Sequence, residues 1–192
     1  MTEWLPYLRA AVDAEFPSMV ELRRHLHRNP EPSGEEQATS QLLYGRLLDA
    51  GFEVRQGPNG CGVWADYFRD TPRDPPIFAL RADIDALRIQ DEKTVEYRST
   101  KPQLMHACGH DAHTSIVFGA LLAIRRLDQA GHLSWPPRLR GIFQPAEETS
   151  QGACQMIESG ALEGIRAIIA THVDPSRRLG RLGLRSGVLT AS

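Results

Sequence analysis

Nine residues, 105–113 (MHACGHDAH), hold three histidines, one cysteine and one aspartate. Thiolate, imidazole and carboxylate are the side chains that bind transition metals. Cys108 and His110 stand two residues apart, and three further polar pieces lie elsewhere. Asp83 and Asp85 sit in LRADIDAL, Glu147 and Glu148 in GIFQPAEE, and His172 in IIATHV. Cys108, His110, one glutamate and His172 make a ligand set for a borderline transition metal. Zinc is the first choice, with manganese, cobalt and nickel as alternatives; a thiolate argues against magnesium or calcium. A thiolate or carboxylate shared by two ions supports a two-metal site, which polarises a carbonyl and lowers the pKa of bound water. The other glutamate of the pair is then free to act as general base. That combination suits hydrolysis of an amide.

Each piece also has a plainer use. A lone Cys-Gly-His is a weak signal, a lone His172 could be a hydrogen-bonded core residue, and Asp83 could cap a helix or a turn. Adjacent acids usually lie on a solvated face, and Glu35–Glu36 and Asp91–Glu92 are expected to do so. His25, His27 and His132 read as structural or exposed. His106 and His113 stay open between a supporting role and plain solvation. Placement decides in favour of chemistry for the rest, and placement depends on the elements.

Residues 1–28 read as helical, broken near Phe16-Pro17, with Ser18 capping a second piece. NPEPS (29–33) is a stop, and Ser33 with Glu36 forms a capping box for the next helix. That helix turns Ala38, Leu42, Gly45 and Leu48 to the core and ends at Gly51. Strands are expected at 52–55, 62–67, 77–81, 138–143 and 167–170, the last one buried. Alternation at 179–185 reads as a half-exposed strand. Helices are expected at 114–129, with Ile116, Ala120, Ile124 and Leu127 on one face, and at 150–158. Residues 69–76 and 86–104 read as loops. Helices alternating with apolar strands give an α/β class with a mixed, largely parallel sheet flanked by helices. On this map Asp83 and Asp85, Glu147 and Glu148, and His172 each follow a strand, and Cys108 and His110 precede a helix. In open α/β sheets, sites form at such places.

The 192 residues, 41% of them hydrophobic, suffice for one domain with a core. A net charge of −2 offers no attraction for nucleic acid or an anionic membrane. Three cysteines are no disulfide framework, which points to a reducing compartment. The first residues carry no secretory signal and no run is long enough to span a membrane, so a cytoplasmic protein is expected.

RRHLHRNPE, LRADIDALRIQD, MHACGHDAHT, GIFQPAEE and THVDP followed by GRLGLRSGVLTAS occur in this order. The set resembles the amidohydrolase branch of the aminoacylase/carboxypeptidase metallopeptidase family, which includes hippurate hydrolases, N-acyl-amino-acid amidohydrolases and indole-acetyl-amino-acid hydrolases. The resemblance spans nearly the whole chain. It implies a zinc-peptidase-like catalytic domain that hydrolyses N-acyl amino acids with divalent metal ions, two per complete site. It implies Cys108, His110, Glu148 and His172 as metal ligands, Cys108 well placed to bridge, and Glu147 as general base. Asp83 lies where the wider family has an aspartate that orients a ligand. That ligand would stand two residues earlier, where this chain has Arg81, and His110 compensates. Arg88 replaces a usual proline and Leu104 a frequent glycine, both on the loop that bears on substrate fit.

Family members continue past this point into a lid domain, which also forms the dimer, and a return segment carrying a last histidine ligand. The resemblance therefore implies that residues 1–192 are the N-terminal part of the catalytic domain, without lid or return segment. A chain so placed is expected to hydrolyse weakly or not at all alone, and to self-associate through the surfaces left uncovered. The competing expectation is a non-catalytic remnant, a metal-binding or interaction module.

Overall fold

The computed structural model describes residues 4–72 and 75–184. Its elements are α1 (Leu5–Arg28), α2 (Gln37–Asp49), β1 (Glu53–Gln56), β2 (Val63–Phe68), β3 (Ile77–Asp83), α3 (His110–Gln129), β4 (Arg138–Gln144), α4 (Gly152–Glu158) and β5 (Ile165–Ala170). The strands form one sheet in the order β1-β2-β4-β3-β5. β2 is antiparallel to β1 and β4, and β3 is parallel to β4 and β5. The α/β class with a mixed sheet and flanking helices is as expected.

Alternation along the strands builds two apolar layers. Val63 and Ala65 of β2, Ala82 of β3, and Leu139 and Phe143 of β4 pack with Leu22 and Leu26 of α1, Leu43 and Leu47 of α2, and Phe118 and Leu121 of α3. The opposite face carries Trp64, Ala79 and Ile142 against Met156 of α4 and Ala161. On that second face Arg140 of β4 grips Asp66 of β2 through two bonds of 2.6 and 2.7 Å. It also donates to the carbonyls of Ala161 and Glu163, which fastens the link between α4 and β5 to the sheet.

The structure corrects several local expectations. α1 is one helix with Pro17 inside it, and Ser18 caps nothing. Pro17 and Asp13 are both exposed, so the Asp13 carbonyl that loses its partner stays in water, while Ala11, Leu22 and Leu26 hold the helix to the core. The capping box does not form: Ser33 donates to Asp85, and Glu31 accepts from the Ala38 and Thr39 N–H groups at the start of α2. The buried face of α2 is Thr39, Ser40, Leu43 and Leu47, one residue away from the expected one, and Leu48 is exposed. Gly51 ends that helix region at φ +80° as expected. α3 begins four residues earlier than its apolar period suggested, and Ile116 on the expected face is exposed. β5 is exposed along nearly its whole length rather than buried. Residues 179–184 form no strand, because among the described residues no neighbouring strand offers them a ladder. Arg185 and the terminal GVLTAS lie outside the described residues.

Three parallel strands direct the chain to one edge of the molecule. Asp83 ends β3 beside Gln144, which ends β4, and Ala170 ends β5 beside Arg81. Among the described residues no helix is long and apolar enough to cross a membrane.

Candidate metal centre

α3 opens at Gly109, whose φ of +90° turns the chain sharply into the helix. A side chain there would bring its Cβ within 2.4 Å of Val173 Cγ2, so the close approach of the two segments needs glycine. Cys108 lies just outside the helix and His110 in its first turn. His110 is buried, and its Nδ1 lies 2.9 Å from the Asp85 carbonyl and 3.1 Å from Asp85 Oδ1. Both partners only accept, so Nδ1 carries the proton and Nε2 keeps its lone pair. That Nε2 has no hydrogen-bond partner among the described residues.

His172 repeats the arrangement from the other side. Its Nδ1 donates to the Val173 carbonyl at 2.7 Å, which leaves Nε2 free to face Cys108 Sγ at 3.3 Å. A sharp turn delivers the glutamates. Ala146 adopts φ +47°, a conformation costly for a residue with a side chain, and its N–H donates to the buried Glu36 carboxylate at 2.7 Å. The Glu148 N–H donates to Asp85 Oδ2 at 3.0 Å. As a result Glu148 Oε1 and Glu147 Oε2 stand 3.7 and 3.8 Å from His110 Nε2.

Donor atoms of Cys108, His110 and His172 lie within 4.8 Å of one another, as do those of His110, Glu147 and Glu148. The carboxylate separations of 3.7 and 3.8 Å are too long for good hydrogen bonds, while the 3.3 Å contact of Cys108 with His172 is a hydrogen bond to sulfur. These distances suit ligands of one cation, since tetrahedral ligands about 2.0–2.3 Å from zinc lie roughly 3.3–3.8 Å apart. His110 belongs to both groups, with sulfur and imidazole on one side and two carboxylates on the other. The donor set therefore fits one ion or a pair.

A third group, Asp83, His110 and His113, is equally close. His113 is a poor candidate ligand because both ring nitrogens are engaged. Nδ1 lies 2.7 Å from Asp83 Oδ1, and Nε2 accepts the Val173 N–H at 3.0 Å. Arg81 binds the other Asp83 oxygen at 2.7 Å and turns the rest of its guanidinium to Gln144. Asp83 Oδ1 remains 3.7 Å from His110 Nε2.

The electrostatics would suit a bound cation. Burial and the nearby Glu148 carboxylate push the Cys108 thiol up to about 12. Burial raises the Glu147 carboxyl, and the charges of Asp83 and Glu148 add to that rise. Burial opposes charge on Asp83, yet the bond from His113 and the charges of His110 and Arg81 hold it at about 2. Burial works against a charged His110, but Asp85 and the surrounding carboxylates raise it. A divalent cation reverses the balance at Cys108 and favours the thiolate. An open pocket of about 390 Å³, lined by Cys108, His172 and residues beside them, gives access.

The sequence missed part of the surroundings. Glu36 and Asp91, expected on solvated faces, are buried. Glu36 accepts from Ala146, and Asp91 accepts from the N–H groups of Lys93 and Ser99. His27 of α1 is buried with Nδ1 2.8 Å from Asp111 of α3, and Arg23 donates to the same oxygen. Arg23 and His27 are four apart in RRHLHRNPE, a spacing that aims both at one place and could have revealed the pair.

The sequence profile of peptidase family M20/M25/M40 matches residues 79–187. An N-acetyl-L-cysteine deacetylase of Bacillus subtilis is 39% identical over 174 residues, covering 91% of this chain and 40% of its own. An N-acyl-L-amino acid amidohydrolase of Geobacillus stearothermophilus is 34% identical over 188 residues, covering 96% and 49%. The crystal structure of the Bacillus subtilis YXEP protein, a dinuclear metal binding peptidase from the M20 family, superposes with a TM-score of 0.78 at 36% identity. That match covers 91% of this chain and 48% of the other, so the chain spans less than half the length of these relatives.

Proposed function

The chain belongs to peptidase family M20/M25/M40, and from that premise we propose that it contributes the metal-binding part of an amidohydrolase acting on N-acyl amino acids. The observation that carries this reading is the convergence of Cys108 Sγ, His110 Nε2 and His172 Nε2 with two glutamates beside them. The named activities of the Bacillus and Geobacillus relatives support the substrate class. The dinuclear site of the YXEP protein supports two ions per complete site.

In this proposal Cys108, His110, Glu148 and His172 hold divalent metal, zinc or else manganese, cobalt or nickel. Bound there, the metal supplies Lewis-acid polarisation of the scissile carbonyl and a more acidic water. Glu147 is the general base. Its carboxylate takes the proton of the attacking water and returns it to the leaving amine, and its raised pKa suits both steps. Asp85 holds His110 in the Nδ1–H form, so that Nε2 always presents its lone pair. Asp83 fixes His113 in the same way.

The test is hydrolysis of N-acetyl amino acids by the purified chain with added zinc, manganese or cobalt, beside Glu147→Gln. Turnover that needs metal and is lost in Glu147→Gln is the expected result for a competent site. Metal binding with little or no turnover is the result expected if this chain holds only part of the site, and no metal binding would contradict the proposal. Turnover without metal would contradict the proposal.

A further inference from the structure

Residues 171–175 carry His172, yet they belong to no helix or strand and every one is exposed. Among the described residues, two hydrogen bonds tie this stretch to the body. One is the Cys108–His172 contact itself. The other is the Val173 N–H donated to His113 Nε2 at 3.0 Å. The second is independent of any metal, and it lands on a residue that the proposed reaction does not use.

His113 is well made for that contact. It lies buried on α3, with 1% of its surface exposed. A carboxylate only accepts, so the 2.7 Å contact with Asp83 puts the proton on Nδ1 and the lone pair on Nε2. Asp83 is itself held by Arg81, and Thr114 donates to the Asp83 carbonyl. The ring of His113 meets that of His172 edge-on at 4.5 Å. The Val173 side chain closes the joint against Gly109.

We propose that His113 is a positioning residue, a latch that accepts the Val173 N–H and thereby sets His172 against Cys108. The proposal rests on the metal-centre reading above. Asp83 and Arg81 are the base of the latch: they fix its tautomer and its ring plane. Without it, His172 would hang on an exposed stretch beyond an edge strand, and metal binding would have to order that stretch each time.

The experiment compares wild type with His113→Phe, His113→Gln and Val173→Pro. Amide hydrogen exchange is followed at 171–175 without metal, and Co(II) binding is followed by its thiolate absorption band. His113→Phe fills the space but accepts no hydrogen bond. It should speed exchange at Val173 and weaken Co(II) binding by on the order of 10–100-fold, the usual loss when a supporting partner of a metal ligand is removed. The thiolate band itself should persist, because Cys108 and His110 remain. His113→Gln offers a carbonyl oxygen near the place of Nε2 and should restore most of both properties. If His113→Phe fails to fold, Val173→Pro decides by Co(II) binding, since it deletes the donor, and with it the followed amide, from an exposed stretch; Co(II) binding unchanged in that variant overturns the latch. Unchanged exchange overturns the latch, whether or not Co(II) binding weakens. If wild type gives no thiolate band, the metal-centre reading fails, and the exchange comparison alone decides the latch.

Discussion

The two sides of the candidate centre are built differently. Around the start of α3, His110, His113, Asp83, Asp85 and Asp111 are all buried, and each is held by partners from other elements. Across from them, β5 and the stretch after it lie in the open, with Ile168, Ile169, Leu179, Leu182 and Leu184 exposed. One side is a preorganised wall; the other is an edge that, among the described residues, carries one ligand candidate, His172. A ligand fixed by buried hydrogen bonds keeps its geometry without metal, whereas one on an open edge keeps it only through a few contacts.

Glu147 stands where the two sides meet, half-buried and facing His110. In a full-length relative with the same motifs, Glu147→Gln should lower kcat by on the order of 10²–10⁴ while metal content holds. Parallel loss of metal would mean that Glu147 and Glu148 have exchanged roles. Next in size is the wall itself. Asp85 accepts from Ser33, from the Glu148 N–H and from His110. Asp85→Ala strands the Ser33 hydroxyl and the Glu148 N–H, while His110 keeps the residue-85 carbonyl, and urea unfolding of the metal-free chain should show a loss of about 2–4 kcal/mol.

Acid should attack the wall as well. His106 is buried without a hydrogen-bond partner for either ring nitrogen among the described residues. Burial pushes its pKa down from 6.5 to about 4. Between those values the unfolded chain binds the proton and the folded chain does not. Stability is therefore full above pH 6.5, falls as the pH drops from 6.5 to about 4, by on the order of 3 kcal/mol, and levels off below that. His106→Leu should flatten that part of the stability profile, and a slope unchanged by the substitution would point elsewhere. The smallest effect belongs to the edge. His172→Ala should change metal-free stability by no more than about 0.5 kcal/mol. A loss as large as that of Asp85→Ala would erase the contrast between the two sides.

Much of the fold could be read from the residues, because 77–81 is a short apolar run and 138–143 carries Leu139, Ile142 and Phe143 between turn-rich stretches. The start of α3 is hard to see in the sequence because its first turn is built from His110, Asp111 and His113, whose polarity hides the helical period. α2 turned another face to the core because Ser40 buries its hydroxyl between the Glu36 carbonyl and the Gly62 N–H. β5 looks buried by composition, yet exposure depends on what lies beside the sheet, and composition does not hold that. The gathering of Cys108, His110, His172 and the glutamates was legible from their positions at strand and helix ends. The pairing of Asp85 with His110 and Asp83 with His113 was not. Two aspartates two residues apart are equivalent in sequence, and only the exit angle of β3 distinguishes them.

The central claim is that Cys108, His110 and His172 share a metal. It is tested most directly by the metal content of the purified chain after equilibration with zinc and dialysis, for wild type, Cys108→Ser, His110→Ala and His172→Ala. Wild type should retain zinc, and each variant should lose it while remaining folded by circular dichroism. Zinc absent from wild type, or retained equally by all three variants, would contradict the claim.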